Sequence, residues 1–174
     1  HRVDRRQRQM CIRDRPIIDP DSRFHPVFSS LGMVVSQERI ASEVGAAILK
    51  KGGNAIDAAV ATGFSLAVTL PRAGNLGGGG FMVIHLVESG ETITIDYREM
   101  APSAATTDMF LDTSGEVDNK KALYSIYSSG IPGTVAGLLH AHERFGKLSL
   151  AEIIQPAIDL ACLLYTSPSP RDRG

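Results

Sequence analysis

The sequence predicts an α+β fold, a β-hairpin over about residues 80–98 packed by helices over about 38–51, 55–69, 131–145 and 149–161. Three observations carry this. Two strand-like runs, "FMVIHLVE" and "TITIDYR", follow one another with only three residues between them. Four stretches repeat apolar residues at helical spacing and are bounded by capping residues or glycine. One of them, "AIDAAVATGFSLAVTL", is apolar nearly all round, as a helix buried in a core must be.

The chain has 174 residues, enough for one domain, with 43% hydrophobic and 21% charged residues, a globular composition. The ends differ from the middle. Residues 1–15, "HRVDRRQRQMCIRDR", hold six arginines, and residues 163–174, "LLYTSPSPRDRG", are a Ser/Pro/Arg run. Both resemble translated sequencing-adapter read-through, so residues 1–15 and 162–174 are expected to be artefactual or disordered tails around a domain of residues 16–161. The competing reading is a basic tail for nucleic acid or an acidic partner. Without the tails the charge is 10 basic against 16 acidic residues, a net of −6, which argues against nucleic acid. Cys11 and Cys162 both lie in the tails, so the body has no disulfide framework and no thiolate metal site. No signal peptide is visible in this chain.

Within the body, residues 16–30 have no period. "GMVVS" (32–36) reads as a short strand, after which Ser36 caps a helix with Glu38 in its first turn. Ile40, Val44, Ala47 and Ile48 make its apolar stripe, and Gly52 ends it in a left-handed conformation. Asn54 caps the next helix, with Asp57 completing a reciprocal cap. Its apolar run is too short for a membrane span and ends at Pro71. Residues 103–129 read as irregular, with "DTSGEVDNKK" an exposed loop. Gly146 stops the third helix. Ser149 and Glu152 box the start of the fourth, where Pro156 should kink or restart the helix.

Strand alternation puts Ile93, Ile95 and Tyr97 on one face and Thr92, Thr94, Asp96 and Arg98 on the other. The unbroken apolar run of the first strand predicts cover on both of its faces. A two-residue turn at Ser89 and Gly90 sets Glu88 opposite Glu91 and Arg98 opposite Phe81, at the same end as the glycines of "AGNLGGGGFM". Those glycines are no phosphate loop. No Lys-Ser/Thr pair follows them, and the helix-then-strand order reverses that of a dinucleotide site. Gly77, Gly78, Gly79 and Gly80 either admit close backbone approach or offer N–H groups to an anion. Arg98 has two readings, a structural salt bridge with Asp96 or Glu99, or a clamp gripping a carboxylate through two parallel hydrogen bonds. His140 and His142 are two apart on a predicted helix and so point to different faces, which leaves no metal site.

Four stretches then occur in order: "GGNAIDAAVA" (52–61), "AGNLGGGGFM" (73–82), "DYREMAP" (96–102) and "GIPGTVAG" (130–137). Together they resemble the N-terminal, large-subunit region of γ-glutamyltranspeptidases, over about residues 32–161. The resemblance implies part of an N-terminal nucleophile hydrolase fold, an αββα sandwich, and a precursor that cleaves itself. The new N-terminal threonine of the small subunit is then the nucleophile, with its own α-amino group as base. It takes the γ-glutamyl group from glutathione or a related compound and passes it to water, an amino acid or a peptide. No position in this chain matches that threonine, so no catalytic residue is assigned and the chain alone is expected to be inactive. It is also expected to expose the apolar helix 55–69. Only the arginine of "DYREMAP", Arg98, maps onto a family substrate residue, the one that holds the glutamyl α-carboxylate. The implied partners are γ-glutamyl substrates and the small subunit, with no cofactor, metal or nucleic acid, in the periplasm or outside the cell. The alternatives are a cephalosporin or glutaryl acylase of the same fold, or a non-catalytic anion-binding module.

Overall fold

Helix α1 (Arg39–Lys50) starts at Glu38, whose carboxylate accepts the Ala41 N–H at 3.0 Å. Ser36, the expected cap, lies too early. Its hydroxyl accepts the Glu38 N–H at 3.3 Å and bonds the Ser42 hydroxyl at 2.7 Å. The computed structural model to which these distances belong describes residues 28–165, and from Met33 onward the chain forms one unit. The expected tail 1–15, and 166–174 of the other, lie outside the described residues. Residues 32–36 form no strand among the described residues, where the sheet consists of one hairpin. Gly52, at φ 99°, ends the helix as expected.

Helix α2 (Ala55–Thr69) carries the predicted reciprocal cap. Asn54 Oδ1 accepts the Asp57 N–H at 2.9 Å, and Asp57 Oδ2 accepts the Asn54 N–H at 3.0 Å. The expected exposure of α2 is found only in part: Ala58, Val60, Ala61 and Phe64 are buried, Ile56, Leu66 and Val68 are half-buried, and Ala55 and Ala59 are exposed. Three helices pack against it: α1, α4 (Thr134–Phe145) and α5 (Leu150–Tyr165). Small residues bring α1 and α2 together. Ala41 is fully buried, and its carbonyl accepts from the Thr62 hydroxyl at 3.3 Å. Leu138, Ala141, Ile153 and Ala157 complete the core from α4 and α5. Helix α5 runs unbroken through Pro156, held on either side by buried Ile153 and Ala157, and continues past residue 161 into the expected tail.

The hairpin is β1 (Phe81–Leu86) with β2 (Glu91–Asp96), paired Phe81 to Asp96 and Leu86 to Glu91. The register differs from the expected one by two. A two-residue turn at Ser89-Gly90 of the tight hairpin type needs positive φ at Ser89, and no described non-glycine residue has positive φ. The connection is instead the four residues 87–90, with Gly90 at φ 68°. A slip of two keeps every side chain on its face. Met82, Ile84, Leu86, Ile93, Ile95 and Tyr97 therefore turn inward. The opposite face of β1 is bare, contrary to the expected double cover, with Phe81 and Val83 exposed by 64% and 71%, and Val87 just beyond the strand by 85%. No described element packs on that side, so its apolar side chains meet solvent.

Residues 103–129 are less irregular than expected. Asp112 anchors an exposed turn by accepting the Ser114 and Glu116 N–H groups. Asp118 caps a short helix, α3 (Asn119–Tyr124), which the polar composition had concealed.

Candidate functional site

The hairpin ladder runs one pair beyond its strands. Gly80 and Tyr97 exchange both backbone hydrogen bonds, at 3.3 and 3.0 Å. Arg98 comes next and meets Gly79, not Phe81. A Cβ on Gly79 would lie 2.8 Å from Arg98 Cα and 2.6 Å from the Tyr97 oxygen. The glycine run and Arg98 thus share one end of the hairpin, as the spacing predicted, but two residues further along.

The first turns of α4 press on the same segment from another side. A Cβ on Gly133 would overlap the Tyr97 carbonyl oxygen, and one on Gly137 would overlap the Tyr97 ring. Met100 and Ile131 exchange both backbone hydrogen bonds, at 3.2 and 2.8 Å, and fasten the chain beyond Arg98. The glycine run is therefore a joint of close approach at Gly79 and Gly80, while a Cβ on Gly77 or Gly78 would meet nothing nearer than 3.4 Å. Its Gly78 carbonyl accepts the Gly133 and Thr134 N–H groups at 2.8 and 3.0 Å, capping α4, whose N-cap glycine has no side chain to do so. The Gly78 and Gly80 N–H groups already donate to Asn75 and Tyr97 carbonyls, so they are not open to an anion.

Arg98 is exposed. Its backbone N–H donates to Asp96 Oδ1 at 3.0 Å, but among the described residues its guanidinium pairs with no carboxylate. The structural salt bridge is thus not made. Beside it opens a cleft of about 430 Å³, lined among others by Ile95, Tyr97, Arg98, Gly133, Ala136 and His140. Burial pushes the Tyr97 phenol above its ordinary value, so it remains a neutral wall. The cleft combines apolar side chains with one permanent cation, a chemistry suited to an anionic group carried on a short aliphatic chain.

Sequence reading did not place His140 here. The available signal was its position three residues past Gly137 and seven past Gly133, which is one face of a helix. His142 points elsewhere, its Nε2 lying 2.8 Å from the Leu148 carbonyl oxygen. Among the described residues, no group of three His, Cys, Asp or Glu gathers as a metal site.

The family model described as Gamma-glutamyltranspeptidase matches residues 41–162. The chain is 56% identical over 138 residues to the glutathione hydrolase proenzyme of Escherichia coli (strain K12), a match covering 79% of this chain and 24% of that protein. It superposes on the crystal structure of Helicobacter pylori γ-glutamyltranspeptidase with a TM-score of 0.74 at 49% identity, over 78% of this chain and 39% of that one. The Acylase ACY 1 proenzyme of Pseudomonas sp. (strain V22) is 42% identical over 142 residues, covering 78% of this chain and 25% of that protein. The chain spans about a quarter of the length of these curated relatives. Its helices and hairpin are an α+β part of the N-terminal nucleophile hydrolase fold. Because the matched residues include the buried helix, the glycine joint and Arg98, the chain belongs to the γ-glutamyltranspeptidase family.

Proposed function

We propose that this chain supplies the carboxylate-binding part of a γ-glutamyltranspeptidase acting on glutathione or a related γ-glutamyl compound. One observation carries the reading: the guanidinium of Arg98 is exposed and unpaired at a cleft. A guanidinium grips a carboxylate through two parallel N–H donors, and each charge-assisted bond contributes about 1.5–3 kcal/mol. Arg98 would hold the glutamyl α-carboxylate and so orient the γ-amide.

The chemistry belongs to the small subunit of the same precursor, the partner we propose. The hydroxyl oxygen of its N-terminal threonine adds to the γ-carbonyl carbon. The hydroxyl proton passes to the threonine's own amino group and on to the leaving amine as the C–N bond breaks. Water or an acceptor amine then attacks the resulting ester and returns a proton to the threonine oxygen. This reading places the protein in the periplasm or outside the cell. Among the described residues, no helix is long and apolar enough to cross a membrane.

In the full-length, processed protein, Arg98→Ala should raise KM for a γ-glutamyl anilide about 10- to 100-fold, with a smaller change in kcat. Unchanged kinetics would return Arg98 to a structural role. The 174-residue chain alone should hydrolyse no glutathione, and turnover by it would overturn the assignment of the nucleophile to the small subunit. The 42% identity to an acylase favours a second reading, in which the same scaffold accepts another acyl group. Faster turnover of a glutaryl amide than of a γ-glutamyl amide would establish that alternative. A full-length protein that binds glutamate but turns over neither would be an anion-binding module.

A further inference from the structure

We propose that Gly133 and Gly137 are positioning residues for Arg98, each acting by having no side chain, so that Tyr97 and Arg98 lie directly on the first turns of α4. The proposal rests on the reading of Arg98 as a carboxylate clamp and adds to it the element that sets the clamp's place.

Gly133 has φ −115° and ψ −18°, a conformation open to any residue, so backbone preference does not require glycine there. Contact does. Besides overlapping the Tyr97 oxygen, a Cβ at this position would stand 2.7 Å from the Tyr97 carbonyl carbon and 3.3 Å from the Arg98 oxygen. At 137, inside the helix, alanine would be the better helix former by about 1 kcal/mol, yet its methyl would overlap the Tyr97 ring. The two glycines are one turn apart on one face of α4 and bracket the Tyr97 carbonyl and ring.

The opposite side of the segment is closed as well. Gly79 already approaches Arg98 Cα, and the Gly78 carbonyl fixes the start of α4 through Gly133 and Thr134. A methyl added at 133 therefore has no slack to take up, and the Tyr97–Arg98 peptide must shift. An error of about 1 Å in a bidentate contact is enough to lose much of its effect.

The test compares two donors on the full-length, processed protein: a γ-glutamyl anilide, and the 4-aminobutanoyl anilide, which differs only in lacking the α-carboxylate. Gly133→Ala should lower the ratio of their kcat/KM values about tenfold, the loss of roughly one charge-assisted hydrogen bond, with the change in KM for the γ-glutamyl donor. The 4-aminobutanoyl donor should stay within about twofold of wild type. Equal slowing with both donors would show a general structural role and overturn the proposal.

Arg98→Lys separates this outcome from failure of the underlying reading. If Arg98→Lys leaves the ratio unchanged, the clamp itself is wrong. If Arg98→Lys lowers the ratio and Gly133→Ala does not, only the positioning proposal fails. Gly137→Ala covers the case in which Gly133→Ala is not processed, because its methyl meets the Tyr97 ring rather than the Tyr97 carbonyl. With Gly133→Ala unprocessed, an unchanged wild-type ratio in Gly137→Ala would overturn the proposal.

Discussion

The two ends of α4 are each tied to a distant segment, by different means. At its C-terminal end the tie is a buried carboxylate. Asp57, fully buried at the start of α2, accepts the Lys147 N–H at 3.0 Å and the Leu148 N–H at 3.2 Å, while Asn54 Nδ2 donates to the Phe145 carbonyl at 2.6 Å. At its N-terminal end the Gly78 carbonyl accepts the Gly133 and Thr134 N–H groups at 2.8 and 3.0 Å, and the missing side chains of Gly79, Gly133 and Gly137 let these segments press directly on Tyr97. The first joint gains its strength from a buried carboxylate in a dry setting, and the second adds close contact to its backbone hydrogen bonds. The proposed clamp suits the second joint, because among the described residues no carboxylate there pairs with the Arg98 guanidinium.

The comparison breaks most visibly at Asp57. Asp57→Ala should cost about 3 kcal/mol, because it leaves the Asn54, Lys147 and Leu148 N–H groups without their acceptor. Urea unfolding of the full-length protein would measure this, and a loss below about 0.5 kcal/mol would show that solvent replaces the carboxylate. The hairpin sharpens the contrast between filled and bare surfaces. Ile84→Ala, on the buried face, should cost about 2–3 kcal/mol, whereas Val83→Thr, one residue away on the bare face, should stay within about 0.5 kcal/mol if that face meets solvent. A large loss at Val83 would mean that another part of the protein covers it.

The smallest expected effect is at Glu152. The Lys51 ammonium at 2.9 Å, with the Ser149 hydroxyl and N–H, holds its carboxyl down at about 2, below the ordinary 4.5. The folded value is the lower one, so the stabilisation is complete above pH 4.5 and is lost as pH falls through about 2. Both side chains of the pair lie largely in reach of solvent, 51% exposed at Lys51 and 40% at Glu152, so the effect is slight. The difference in melting temperature between wild type and Glu152→Gln should shrink across that window and vanish at its acid end.

Much of this was legible in the residues. Asn54 with Asp57, and Ser149 with Glu152, announced two helix starts, because a reciprocal cap is a local pattern. Alternation in "TITIDYR" gave the correct faces even where the register was wrong, since a shift of two conserves them. What sequence left out was mostly pairing at a distance. Asp57 showed its capping role but not Lys147 or Leu148, some ninety residues away. The glycines advertised close approach without naming Tyr97 as the thing approached. Ser36 failed as a cap because Glu38 lay nearer the helix and had the reach, a choice between two adequate acceptors that composition does not decide. The Arg98 cleft required both the β2 edge and α4, so only the arginine itself stood out beforehand.

The naked row of Phe81, Val83 and Val87 has a consequence at the bench. Molecules handled as this isolated piece present a greasy flank to one another, and at high concentration stacking through that flank would compete with staying dispersed. Lysine in place of Val83, pointing away from every core contact, would give a better-behaved sample while leaving the arginine joint as it stands.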